Sequence, residues 1–149
     1  MSGQVEAIFV AAVSGELPTP VERVRALAGR GLEGNRDFWE DGDAPPGRGV
    51  TLIAAEAMDA VATDGDVSIE PAATRRNVLT RGIDVNDLVG KRFRIGDVEC
   101  EGVELCEPCA HLESMTQPGV IKAFVHRGGL NADILSDGEI SVGDPVVAV

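Results

Sequence analysis

The stretch from Phe93 to Glu101 leaves this chain little freedom. Phe93 and Ile95 point one way, and Gly96-Asp97 fits a two-residue turn with glycine first. Val98 and Cys100 then continue on the same face, with Glu99 and Glu101 on the other. That pattern is an antiparallel hairpin with one face buried, and a one-residue slip would turn every apolar side chain to water. Beyond Gly102 the apolar parity switches to Val103 and Leu105. A switch at glycine marks either a β-bulge or a plain sheet corner.

The rest of the chain supplies partners for such a hairpin. Val5 to Val13 is an apolar run suited to a buried opening strand, Val21 to Leu27 reads as a second strand, and Val50 to Ile53 as another. Ala54 to Ala62 places Ala57, Met58 and Val61 at helical spacing and predicts a short helix. Pro118 to Val125 predicts another, with Pro118 in its first turn and Gly128-Gly129 as its stop. Ala132 to Val149 gives a strand, a turn at Asp137-Gly138 and further strand, while Asp41 to Gly49 reads as an exposed loop. The expected fold is mainly β, a β-rich α+β domain: a closed or partly open β-barrel with a few short helices, over residues 1–149 as a single domain. Aromatics make up only 3% of the chain, so Val, Ile, Leu and Ala must fill the core.

A net charge of −12 disfavours nucleic acid and anionic membranes as partners. No apolar stretch reaches the length of a membrane span, and Met1 to Glu6 lacks the pattern of a signal peptide. Three cysteines, an odd number, argue against a secreted disulfide framework and suggest the cytoplasm. Only Lys91 and Lys122 are lysines, and so acidic a surface would suit high salt or simple solubility.

Three segments could carry chemistry. Cys106-Glu107-Pro108-Cys109-Ala110-His111 holds a CxxC spacing. It admits a dithiol pair, a zinc site with His111 and His126 (Cys100 as a spare), a single reactive thiolate at Cys109, or two inert core thiols. Pro108 restricts the backbone just before Cys109, which favours a rigid presentation of that sulfur, a soft ligand for a metal and a carrier of transferable sulfur. Thr74-Arg75-Arg76-Asn77 sets two adjacent arginines in an acidic chain. They form either a bidentate grip for phosphate or carboxylate, with Asn77 adding an amide, or a solvated pair balancing nearby acids. The glycine-rich run Gly29 to Asp37 is neither a Walker loop nor a dinucleotide fingerprint, and its spacing favours a tight connection between strands.

In order along the chain, several segments together resemble the MOSC family, named for the C-terminal domain of molybdenum-cofactor sulfurase. They are Gly31-Leu32-Glu33-Gly34-Asn35-Arg36, Arg48-Gly49-Val50-Thr51-Leu52-Ile53 with Glu56, Arg75-Arg76-Asn77-Val78-Leu79-Thr80-Arg81-Gly82-Ile83, Leu88-Val89-Gly90-Lys91-Arg92-Phe93, and Pro108-Cys109 with Leu112. Arg127-Gly128-Gly129-Leu130-Asn131-Ala132 and Gly138 to Asp144 resemble the family's closing segments. The glycine-rich turn departs from the pattern, with Asn35 and Asp37 where relatives carry an acid and a histidine.

The resemblance implies a β-barrel and a functional Cys109, catalytic and able to ligate molybdenum or hold a persulfide. It implies that Arg75, Arg76 and Asn77 bind an anionic cofactor, the molybdenum cofactor (molybdopterin). No pyridoxal phosphate is expected in this chain alone, which reads as a stand-alone member. The activity implied is molybdenum-dependent reduction of N-hydroxylated compounds, with a redox partner protein. The alternatives are a sulfur-carrier or cofactor-binding module working with a separate cysteine desulfurase, and a structural domain with inert thiols. Monomer and homodimer are both open.

Overall fold

The structure is a computed structural model and describes residues 2–12, 17–64, 70–106, 119 and 127–149. Its strands are β1 Ser2–Val10, β2 Thr19–Val21, β3 Arg23–Leu27, β4 Gly31–Leu32, β5 Val50–Ala54, β6 Val78–Arg81, β7 Arg92–Ile95, β8 Val98–Leu105, β9 Leu130–Ile134, β10 Gly138–Ser141 and β11 Pro145–Ala148. One α-helix, α1 Ala55–Asp64, and two short 3-10 turns, Pro71–Thr74 and Val85–Leu88, are described. The main sheet runs β11-β7-β8-β9-β5-β6-β1-β2, and β11 pairs again with β1. That last pairing closes seven strands into a barrel and leaves β2 as an extra strand on β1. A small sheet, β10-β3-β4, stands beside it.

The hairpin lies where the sequence predicts it. Phe93 faces Cys100 and Ile95 faces Val98 across β7 and β8. Gly96 takes φ 60° while Asp97 does not enter the positive region, as a turn with glycine in the first position requires. Against β9 the register shifts between Gly102 and Glu104, so the parity switch is a bulge rather than a corner. Gly102 is obligatory there, since a Cβ would run into the backbone carbonyl of Leu88.

Other boundaries differ from expectation. The opening strand is shifted toward the N-terminus, and Ala11-Ala12 lie beyond it. The second strand is two: β2 pairs with β1 at the edge of the main sheet and β3 joins the small sheet, with the break at Glu22, whose carbonyl accepts from Val142 N. Helix α1 runs two residues further than predicted. The predicted helix over Pro118 to Val125 lies outside the described residues, Gly119 apart.

Two hydrophobic clusters explain the layering. Val5, Ile8, Leu52, Val78, Phe93, Ile95, Val98, Cys100, Leu130 and Val146 fill the barrel. Phe9, Ile53 and Leu79, the alternate positions of β1, β5 and β6, pack with Val61 and Met58 of α1. These three strands are therefore buried on both faces, which is why the segments of β1 and β5 read as apolar runs. β5 and β6 are parallel, so the chain must cross between them, and α1 lies on that crossover. Both strands start at one end of the barrel, and the loops gathered there build the site.

Candidate functional site

A cavity of about 180 Å³ opens where β1 ends and β5 and β6 begin. Ala11, Pro18, Asn35, Arg36, Asp37, Arg48, Thr51, Arg75, Arg76, Asn77 and Cys106 line it. In a chain of net charge −12, this one concavity gathers Arg36, Arg48, Arg75 and Arg76 against a single carboxylate, Asp37. It draws on the loops after β1, β4 and β8 and those before β2, β5 and β6.

The Thr74-Arg75-Arg76-Asn77 segment divides its work by residue. Thr74 ends a 3-10 turn and is buried, its hydroxyl donating to Pro71 O at 2.7 Å. Asn77 is also buried, and its side chain is fully engaged with backbone and Thr51. Its Oδ1 accepts from Thr51 N and Thr51 Oγ1, each at 3.1 Å, and its Nδ2 donates to Phe9 O at 3.1 Å. One amide thus staples β1, β5 and the start of β6 together. Arg76 is similarly committed: Nε donates to Gly128 O at 2.6 Å, Nη1 to Thr74 O at 3.1 Å and Nη2 to Cys106 O at 3.2 Å.

Arg75 is the exception. Among the described residues it is the one non-glycine residue at positive φ, 64°. Such a conformation costs on the order of 1 kcal/mol or more and persists only where surrounding structure imposes it. Its Nη1 and Nη2 are shielded from solvent and have no hydrogen-bond partner. Burial, and then the neighbouring Arg36 cation, pull its pKa below the usual arginine range. A guanidinium presents its donors as a fixed fork matched to phosphate and carboxylate. Two buried donors of that fork, left unpaired beside like charges, are a fit for an oxyanion.

Arg36 and Arg48 were not among the site residues expected from sequence. Both are exposed residues on the cavity lining, and neither makes an ion pair among the described residues. The available signal was their setting: Arg36 follows Gly34-Asn35, and Arg48 lies between Gly47 and Gly49. The Gly29 to Asp37 run does connect strands, β3 to β4, and its far end then lines the cavity. Asn35 is fixed by accepting from Ala11 N at 3.0 Å.

Of the thiols, Cys100 is sealed in the barrel and Cys106 is half-buried on the cavity wall. Cys109, His111 and His126 lie outside the described residues. Among the described residues no group of His, Cys, Asp and Glu is placed to hold a metal ion. Among the described residues no helix is long and apolar enough to cross a membrane.

A larger cavity, about 430 Å³, lies at the opposite ends of β5 and β6, lined by Glu56, Ile83, Asp84, Val85 and Arg127 among others. Its carboxylates are occupied by backbone: Glu56 accepts from Gly82 N at 2.7 Å and Asp84 from Asn86 N at 3.0 Å. A third cavity, lined by Arg30 among others, is about 440 Å³, so size singles out neither, and the unpaired buried donors favour the smallest of the three.

Comparison with known proteins agrees with this architecture. The MOSC domain family model matches residues 41–147. The crystal structure of the YUAD protein from Bacillus subtilis superposes with a TM-score of 0.82 at 18% identity, covering 98% of this chain and 94% of that one. YiiM from Geobacillus stearothermophilus gives 0.73 at 19% identity, covering 99% and 75%. YiiM from Escherichia coli gives 0.71 at 18% identity, covering 100% and 70%. At these identities the likeness is one of fold. No curated protein matches the chain.

Proposed function

Since this chain belongs to the MOSC domain family, we propose that the arginine cavity grips the phosphate of a pterin-type molybdenum cofactor and presents the cofactor's metal-bearing end to Cys109. The observation that carries this reading is Arg75: a half-buried arginine whose two terminal nitrogens are buried and unpaired in an arginine-lined cavity. Arg75 supplies the bidentate contact, and Arg36 and Arg48 supply charge at the mouth. Arg76 and Asn77 contribute as frame, because their side-chain donors are committed elsewhere.

Cys109 follows Cys106 by three residues. An extended chain covers at most ~3.6 Å per residue, so its Cα is within about 11 Å of the Cys106 Cα. Cys106 is on the cavity wall, so the covalent limit supports a shared site. A thiolate at Cys109 is a soft ligand suited to molybdenum or to carrying a sulfane sulfur. Bound molybdenum would supply the redox chemistry, and the residues here bind and orient it. The substrate class proposed is N-hydroxylated compounds, with a basic redox protein as electron donor and the cytoplasm as the compartment.

The test is metal and pterin content of protein made in a molybdenum-competent host. Stoichiometric pterin that falls in Arg75→Gln, with molybdenum that falls in Cys109→Ser, supports the reading. Persulfide on Cys109 with no pterin moves the assignment to a sulfur carrier working with a cysteine desulfurase. Absence of pterin, molybdenum and persulfide alike overturns both.

A further inference from the structure

The chain leaves the barrel at Cys106, at the end of β8, and returns at Arg127-Gly128, before β9. The stretch between carries Cys109. Its two shoulders are bonded to each other, since Cys106 N donates to Gly129 O at 2.7 Å. They are also bonded to one side chain from elsewhere in the fold. Arg76 Nη2 holds the carbonyl of Cys106, its Nε holds the carbonyl of Gly128, and its Nη1 anchors back on Thr74 O. Gly129 has no room for any other residue: its φ is 111°, and a Cβ would collide with the carbonyl of Leu52. The shoulders are thus drawn against β5 and β6 by close backbone approach on one side and a three-way guanidinium on the other.

We infer that Arg76 is a positioning residue. It clasps Cys106 and Gly128, the two shoulders of the intervening stretch, and fixes these shoulders in register with the Arg75 cavity. The inference deepens the functional reading above and rests on it for the cavity's role. Three carbonyls in three directions need the planar fork of arginine; lysine would keep the charge and lose the geometry. Adjacent arginines therefore carry different tasks. Arg75, at positive φ, offers its donors to a ligand, and Arg76 spends its own on the backbone.

Arg76→Lys and Arg76→Gln in the full chain test this, with three measurements. The first is hydrogen exchange at Cys106 and in peptides spanning 128–130. The second is the rate of alkylation of Cys106 at fixed pH. The third is the dissociation constant for inorganic phosphate. The clasp predicts exchange at the Cys106 amide faster by about tenfold or more in both variants, from loss of charge-assisted hydrogen bonds. It predicts a changed Cys106 alkylation rate in both, with phosphate affinity held within about threefold in the lysine variant, which keeps the charge, a change smaller than one lost charged hydrogen bond would give. Should lysine reproduce wild-type exchange and alkylation, charge alone suffices and the clasp is refuted. Should phosphate affinity collapse with exchange unchanged, Arg76 is instead a direct anion ligand. If the glutamine variant fails to fold, the lysine variant decides. If wild-type protein binds neither phosphate nor pterin, the cavity's proposed function fails, while exchange and alkylation still decide the clasp.

Discussion

Phe93 and the tip of Arg75 are both enclosed by protein, on opposite terms. Phe93 belongs to the barrel interior, where Ile95, Val98, Cys100, Leu130 and Val146 are fully buried around it and the hydrogen bonds run strand to strand. Arg75 belongs to the loop cluster at the start of β5 and β6, at positive φ, with two buried donors unpaired. Around Phe93 the interior follows the local rules of alternation and packing. The loop cluster breaks two, backbone comfort and polar satisfaction, in a single residue. Among the described residues these violations are confined to one place, which is where a ligand would supply what the protein omits.

The contrast can be broken most severely by comparing Phe93→Ala with Arg75→Ala. The first leaves a cavity in the barrel and is expected to cost about 4 kcal/mol, lowering Tm by roughly 10 °C for a domain of this size. The second removes an unsatisfied buried cation and is expected to change stability by about 1 kcal/mol or less, in either direction, because little native bonding is lost. Urea denaturation of both variants gives the answer. Equal losses would make Arg75 a structural residue and dissolve the distinction.

Ligand linkage sharpens the same comparison at a smaller scale. If the cavity binds an oxyanion, inorganic phosphate should stabilise the wild type beyond chloride of equal ionic strength, by about 2.7 kcal/mol at a hundred times Kd. Arg75→Ala should lose this stabilisation. Arg30→Ala should keep it, since Arg30 lines a different cavity. Phosphate and chloride acting alike on all three proteins would show screening of the net charge and no site.

The interior was far more legible in the sequence than the loop cluster, for a physical reason. Alternation in Phe93-Arg94-Ile95 and Val98-Glu99-Cys100 reports burial directly, whereas the Gly102 parity switch left bulge and corner open until the register against β9 decided for the bulge. Closure of the barrel by β1 and β11 joins residues far apart in sequence, and no local pattern announces it. The same holds for the site. Arg75, Arg76 and Asn77 were legible as a group, but not their separate tasks. Those depend on where carbonyls of Phe9, Cys106 and Gly128 fall in space. Arg36 and Arg48 enter from two other loops and show no spacing relation to Arg75. Membership of the MOSC family was legible because it rests on ordered local segments.

The two described thiols of the β8 region carry the comparison to its finest scale. Cys100 lies in the interior, where burial, followed by the Asp133 and Glu99 carboxylates, pushes its pKa up to about 12 from a reference of 9.0. Cys106, just past the end of β8, is half-buried on the cavity wall. Native protein should therefore alkylate at Cys106, and at Cys100 only on global unfolding. The pH dependence has a definite sign. Between about 9 and 12 the unfolded chain has released the Cys100 proton while the folded chain still holds it, so rising pH favours unfolding. The stability so linked is fully present below about 9 and is lost at up to ~1.4 kcal/mol per pH unit above it. Cys100→Ala lacks this slope. Near pH 8 it should be the less stable protein, by about 1 kcal/mol for the small cavity created. The gap to wild type should close and then reverse as pH approaches 11, in urea midpoints measured across the range. Parallel curves would mean that Cys100 ionises as readily folded as unfolded, and the barrel interior would not be the sealed medium that sets it apart from the loop cluster.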